Sequence, residues 1–492
     1  MCGPYEARVQ DHLSRRPGIL CERNLFRRIV GEVGEVLKMA GGKTYRVASA
    51  ADVSFESNVA RSLDESHGWG ARLRNISLFA QAERDVQVRR NRFTWLVAVP
   101  LWVFAILLVA GRTPANVFIN PPYSVDALLI VEGARDLMSG AQAEGMVPQT
   151  DGTGVTLAPE VTTGVLTLGE RRLRFPFNEA IPSWNATTPP GTGLRVWMRV
   201  GSRRAWTDWF EAGSWGIATD LGTTRVFDLG VGRYEYDSLL LREPADRVQV
   251  RVELVRQHGG QSAPTLRLFA LSYSNTLGDE KLFRSFGKAK RATRTAIDER
   301  ATTLLLPVKF RSQVIANTKW IGRICAPASA AMAATAFGVD LPTQELAAQI
   351  YDPVSDMFGV WHRVVQGVAQ SELRGYITRF RHWDDVLEEL KRGSVILCSI
   401  RFKHGEIPNP PRIYRRRGTE GHIVVLVGVT PRGTLLVHDS ASKDWGQYNE
   451  WTPEQLAKAW FDKGGVAMVF TRPEAGTKSV SRSQGKPQTG RR

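Results

Sequence analysis

The sequence predicts a multidomain chain: one transmembrane helix, then an all-β sandwich, then an α+β domain. Three patterns carry this expectation. Nineteen consecutive residues, 93–111 (FTWLVAVPLWVFAILLVAG), hold no charge, enough apolar helix to cross a bilayer core. Residues 153–275 break into short alternating runs separated by Gly- and Pro-rich turns, the signature of an antiparallel sandwich. From residue 304, helical stretches come first and strands follow, as in an α+β fold.

Size and composition agree with this division. A chain of 492 residues is too long for one core. Its apolar (43%) and charged (23%) fractions are those of a globular protein. The formal net charge is +16, and part of it lies in a basic, polar tail at 474–492 that has too little apolar surface to fold. No nucleic-acid motif accompanies the charge, so nucleic acid is not an expected partner. The remaining readings of the charge are solubility or attraction to an anionic partner such as cell-wall polymers or lipid headgroups. Cys2, Cys21, Cys325 and Cys398 form no CxxC pair and no zinc spacing. Neither a disulfide framework nor a metal or other cofactor is expected.

The elements follow in order. Residues 1–92 are Arg-rich and carry no motif that assigns a role. Arg89, Arg90 and Arg92 precede the apolar run, and only Arg112 follows it closely. The positive-inside rule then leaves the N-terminus in the cytoplasm and everything after residue 112 outside. Were translation to begin near Val86 or Val88, the same run would be a secretory signal and the protein would be secreted. Residues 113–152 read as a linker with one short helix in VDALLIVEGARDLMSG. The sandwich, 153–275, contains Trp184, Trp197, Trp206, Trp209 and Trp215. These rings are expected to fill the core, although an exposed row of them would stack on sugars. A charged linker spans 276–303. The last folded domain, 304–473, has helices expected near 343–351, 361–371, 383–392 and 453–462. Its strands are expected near 374–380, 394–401, 422–429, 434–439 and 466–471.

The chemistry concentrates in that domain. APASAAMAATAFG, directly after Cys325, reads as a helix of small residues ending at Gly338. A cysteine at a helix N-terminus meets free N–H groups and the positive end of the dipole, which favour the thiolate. Cys398, in the apolar strand VILCSI, reads as an inert buried cysteine. HIVVLVGV (422–429) and TLLVHD (434–439) flank the turn TPRG and predict a hairpin. A turn centred on Pro431–Arg432 pairs His422 with Ala441. Asp439 is then a diagonal neighbour on the same face, placed to orient the imidazole. His438 points to the other face. Gln313, twelve residues before Cys325, is a candidate oxyanion donor. The loop 403–420 enters His422 with Arg412, Arg415, Arg416 and Arg417, and Arg415 and Arg416 are candidate substrate contacts. Trp361 either lines the same cleft or starts a helix and packs in the core.

Taken together, LPVKFRSQ, W-x-x-x-x-C-A-P-A-S-A-A-M, YDPVSDMFGVW, GHIVVLVGV and LLVHD resemble the peptidase C39-like family of papain-fold cysteine peptidases. FPFNEAIPSWNATTPPGT (175–192) resembles the module that precedes the peptidase in secreted bacterial members. The resemblance implies Cys325 as nucleophile, His422 as base, Asp439 as orienter and Gln313 at the oxyanion. Many members have Cys-Gly-Pro where this chain has Cys325-Ala326-Pro327, a small change beside the thiol. The expectation is an extracytoplasmic peptidase that takes a peptide or protein substrate and is held at the membrane through residues 93–111. Two alternatives stay open: an amidase or endopeptidase of peptidoglycan stem peptides, and a catalytically silent surface-binding protein.

Overall fold

A computed structural model describes residues 123–202, 205–218, 226–260, 262–287, 303–315 and 319–473. All of them fall in one compact unit, Arg112–Arg492. The expected N-terminal region 1–92, apolar run 93–111 and tail 474–492 lie outside the described residues. Among the described residues, no helix is long and apolar enough to cross a membrane.

Residues 125–275 form one continuous antiparallel sheet of twelve strands. Its main members are β1 (Val125–Glu132), β2 (Arg171–Thr187), β3 (Thr192–Gly201), β4 (Ser238–Arg256) and β5 (Thr265–Asn275). Alternation sets the faces. In β3, Leu194, Val196, Met198 and Val200 are buried, while Arg195, Trp197 and Arg199 are half-exposed. Register shifts in β4 at Leu240–Ala245 and Ala245–Arg247 bend the strand, as bulges do. Phe177, Trp184, Tyr234 and Phe269 fill the core. Of the five tryptophans, Trp184 and Trp215 are buried as expected. Trp206 and Trp209 instead lie on the outer face between guanidinium groups, with Arg199 4.8 and 4.9 Å from their ring centres, Arg247 4.8 Å from Trp206 and Arg251 4.3 Å from Trp209.

One expected boundary is corrected. The 113–152 linker contains β1, whose eight residues all pair with β5, so the sandwich begins at Val125. A short uninterrupted apolar run such as VDALLIVE has no period that separates strand from helix. Among the described residues of 113–152, only Gly133–Met138 is helical (α1). The 276–303 linker contains a short helix, α2 (Glu280–Phe286), whose Asp279 side chain accepts from the Leu282 N–H.

The C-terminal domain comprises α3 (Cys325–Thr335), α4 (Thr343–Ile350), α5 (Trp361–Ala369), β6 (Arg374–Arg379), α6 (Trp383–Lys391), β7 (Val395–Phe402), β8 (Thr419–Val429), β9 (Leu435–His438), β10 (Asn449–Trp451), α7 (Pro453–Ala459) and β11 (Val466–Thr471). The sheet order is β6–β11–β7–β8–β9–β10, antiparallel throughout. Local chemistry explains the helix starts. For example, Thr452 and Gln455 make a reciprocal capping box at α7, with Pro453 in the first turn.

β6 is an edge strand, and the sandwich closes its edge. The Asn185 side chain donates to the Gly375 carbonyl (2.8 Å) and accepts from the Gly375 N–H (3.0 Å). Ser183 Oγ accepts from the Ile377 N–H. The reverse also holds: Gln366 of α5 bonds both backbone groups of Ala186 (2.7 and 2.9 Å), and Gln370 accepts from the Thr188 N–H. Behind these lies a fully buried ion pair, Arg379–Glu179, at 2.6 Å. Trp361 belongs to this seam. It is the buried first residue of α5, and its N–H donates to Asp237 of the sandwich (3.0 Å). The cleft-lining expectation for Trp361 is therefore corrected to the core-packing one.

Replacing Asn185 by Leu removes two hydrogen bonds and leaves the Gly375 N–H and C=O buried and unpaired. A loss of about 3 kcal/mol is expected in urea unfolding. Arg374→Ala breaks the more exposed Glu132 pair and is expected to cost under about 1 kcal/mol. Equal effects of the two changes would refute this account of the seam.

Candidate active site

Helix α3 starts at Cys325, and Ala326 through Ala334 are all buried. Small side chains let this helix approach the sheet closely, and it packs on β8. Ser329 fixes the register, its Oγ donating to the Ile423 carbonyl at 2.9 Å. The first residue of α3 is thereby held against the segment that carries His422. Cys325 itself remains partly exposed.

The hairpin β8–β9 brings Asp439 to the same place. Val425 pairs with His438 and Leu426 with Val437. Continued outward, this register sets His422 opposite Ala441, as expected. The turn is not centred as expected: Thr430 and Thr434 close it, around Arg432. Gly433 takes the positive φ that it needs (75°). A bulge between Leu426 and Gly428 absorbs the extra residue and restores the register before His422.

His422 and Asp439 are both buried. His422 Nε2 lies 2.8 Å from Asp439 Oδ1, which leaves Nδ1 as the nitrogen facing the Cys325 thiol. The thiol hydrogen-bonds this ring and also meets the backbone N–H groups of Ile423 and Ala326. Asp439 Oδ1 accepts a further N–H from Ala441 (2.9 Å), and Oδ2 accepts the Tyr414 hydroxyl.

The charges follow from these contacts. Burial pushes the Cys325 thiol up, but the His422 hydrogen bond and charge, with the two N–H donors, bring it below its ordinary 9.0. Burial lowers His422, but the Asp439 charge and hydrogen bond, with the thiol, outweigh it and raise the imidazole to about 10. Burial raises Asp439, and the His422 charge, Tyr414 and Ala441 reverse this. These contacts favour thiolate with imidazolium, a nucleophile beside a proton donor. Cys398 is fully buried in β7, and burial holds its thiol well above 9.0.

Gln313 joins the cluster through Ser440. Its N–H donates to the Ser440 carbonyl (2.8 Å), and Ser440 Oγ donates to Gln313 Oε1 (2.9 Å). With Oε1 accepting from Ser440, Nε2 remains the donor end of the amide. Arg415 and Arg416 are exposed, immediately after Tyr414. Sequence reasoning missed Tyr414 and Ser440. A lone Tyr inside a charged loop was the one available signal. His438 faces away from the cluster, at the ring edges of Phe310 and Tyr448. Its two ring nitrogens have no partner, and burial lowers it to about 4.

A helix-borne cysteine packed on an antiparallel sheet that carries His and then Asp defines the papain-like class of thiol hydrolase domains. Residues 305–468 match the model of the peptidase C39-like family, and residues 125–274 match that of the peptidase C39 N-terminal domain. Residues 305–468 are thus a peptidase C39-like domain, preceded by a peptidase C39 N-terminal domain. A similar solved structure is a C39-like peptidase from Bacillus anthracis: 15% identity, 35% of this chain, 98% of that one, TM-score 0.28. Another is the peptidase domain of Streptococcus ComA, a bi-functional ABC transporter: 13% identity, 34% of this chain, 99% of that one, TM-score 0.25. No curated protein matches the chain.

Two outcomes are expected. Iodoacetamide labelling of Cys325 should titrate below 9.0, and His422→Ala should move that titration upward, because the hydrogen bond and charge of His422 that lower the thiol are then lost. Second, His438 titrates near 4 when folded and at about 6.5 when unfolded. The stability that comes from keeping it neutral is complete above pH 6.5 and falls as pH drops toward 4. Melting curves of His438→Phe should therefore lose less stability between pH 7 and 4 than those of the wild type.

Proposed function

We propose that this protein is an extracytoplasmic cysteine peptidase that cleaves peptide bonds with Cys325, His422 and Asp439. The observation that carries the reading is the imidazole of His422, bonded to Asp439 on one side and to the Cys325 thiol on the other. The Cys325 thiolate attacks the scissile carbonyl carbon. The electron pair of the C=O bond moves to oxygen, where the Cys325 N–H and Gln313 Nε2 act as donors, each worth about 3 kcal/mol. As the oxyanion collapses, the C–N bond breaks and His422 gives its proton to the leaving amine. A thioester remains. Water attacks it while His422 takes the water proton, and the acid product leaves with the thiolate restored.

The match of residues 305–468 to the peptidase C39-like family supports a peptide or protein as the substrate class. Arg415 and Arg416, exposed beside the cluster, favour acidic residues near the scissile bond. The extracytoplasmic assignment rests on the apolar run 93–111 and the excess of Arg before it.

The test is cleavage of a peptide library and of cell-wall fragments by the full chain, Cys325→Ala and His422→Ala. Activity should fall by about 10³-fold or more in both variants. Hydrolysis of wall stem peptides alone would narrow the substrate to the cell wall. Intact ligand binding with no hydrolysis in any of the three proteins would overturn the enzymatic reading.

A further inference from the structure

We propose that Tyr414 is a positioning residue for the Cys325–His422 pair: its hydroxyl locks the Asp439 carboxylate and fastens the basic loop 403–418 to it. The inference rests on the reading of Cys325 as the reacting thiol.

Asp439 has two oxygens to satisfy inside the protein. Oδ1 receives His422 and the Ala441 N–H, and Oδ2 receives Tyr414. A carboxylate with a donor on one oxygen alone is free to turn about its last torsion, and the imidazole it orients would turn with it. The donor must therefore be fixed in its own right, and Tyr414 is. Its ring is buried, with Phe402 5.1 Å away edge-on, Trp451 at 5.8 Å and His422 at 6.5 Å. The groups acting on its hydroxyl are the charges of Asp439 and Cys325, and of Arg417 from its own loop. Burial, followed by Asp439, pushes the phenol well above its ordinary 10, so it stays a donor at every working pH.

The loop has other anchors. Lys463 pairs with Glu406 at 2.5 Å, Gln455 donates to the Pro408 and Asn409 carbonyls at 2.8 Å, and the Arg412 guanidinium lies 3.9 Å from the centre of the Trp445 ring. Removing one hydroxyl therefore leaves the loop attached. Tyr414 is the point where this chain of contacts, and the exposed Arg415 and Arg416 next to it, reaches the reacting residues.

Tyr414→Phe isolates the hydroxyl. Without it, Asp439 accepts a proton at higher pH, and the ion pair it supports fails earlier on acidification. The experiment is iodoacetamide labelling of Cys325 in the full chain from pH 4 to 9, alongside the low-field ring N–H proton resonance of His422. In Tyr414→Phe the acid limb should move up by about one pH unit, lowering labelling on that limb about tenfold, and the resonance should shift or broaden. Placing 3-fluorotyrosine at position 414 makes a stronger donor and should move the limb the opposite way; this arm decides the matter if the Phe variant does not fold. Limbs that superimpose in all three proteins, with an unmoved resonance, overturn the role of Tyr414 and leave Cys325 as the reacting thiol. A wild-type Cys325 that is unreactive below pH 8 overturns both readings together.

Discussion

Two strand edges meet in the middle of this chain, and the rest of the fold depends on how their backbone groups are satisfied. An unpaired N–H or C=O away from water carries a penalty comparable to a lost hydrogen bond. Asn and Gln side chains present a donor and an acceptor in one plane, as a peptide unit does. Asn185 uses both against Gly375, and Gln366 uses both against Ala186. Each domain thus supplies side chains that act as a short stretch of strand for the other. The helix bearing Gln366, α5, also packs against α3. The position of the cysteine helix is therefore linked to the sandwich through one intervening layer.

Within the site, burial and pairing oppose each other at every titrating group. Burial alone would leave Cys325 a neutral thiol, His422 a neutral imidazole and Asp439 a protonated acid. Together they reverse one another, because each ion supplies the opposite charge its neighbour lacks. Such an arrangement is cooperative: the pairs form as a set. His438 shows the contrast. One residue from Asp439 and on the opposite face, it is driven neutral by burial with no partner to reverse the shift.

Much of the C-terminal domain was legible in the sequence, for reasons that can be named. The helix after Cys325 consists almost wholly of small residues, and the strands of the hairpin are uninterrupted runs around a Pro-Arg-Gly turn. The pairing of His422 with Ala441 was legible although the turn was misplaced, because the bulge at Val427 returns the strands to the same register. The sandwich was legible where polar and apolar residues alternate, as in β3. It was not legible at β1, where the apolar run has no period. Trp361 was undecided because a helix start at a domain seam and a groove wall draw on the same residue type. Tyr414 was hidden for another reason. Its partner Asp439 lies just past the end of β9, 25 residues away, and nothing in a loop of arginines marks which side chain turns inward.

The reciprocal closure of strand edges also bears on inheritance. A domain attached by a flexible tether can be copied, lost or joined to a new neighbour without damage to either part. Separating these two would expose two raw sheet edges, each a template for self-association. A gene rearrangement that breaks between them would yield aggregating fragments instead of new combinations. In this chain the sandwich and the peptidase fold are thus expected to be kept or lost together.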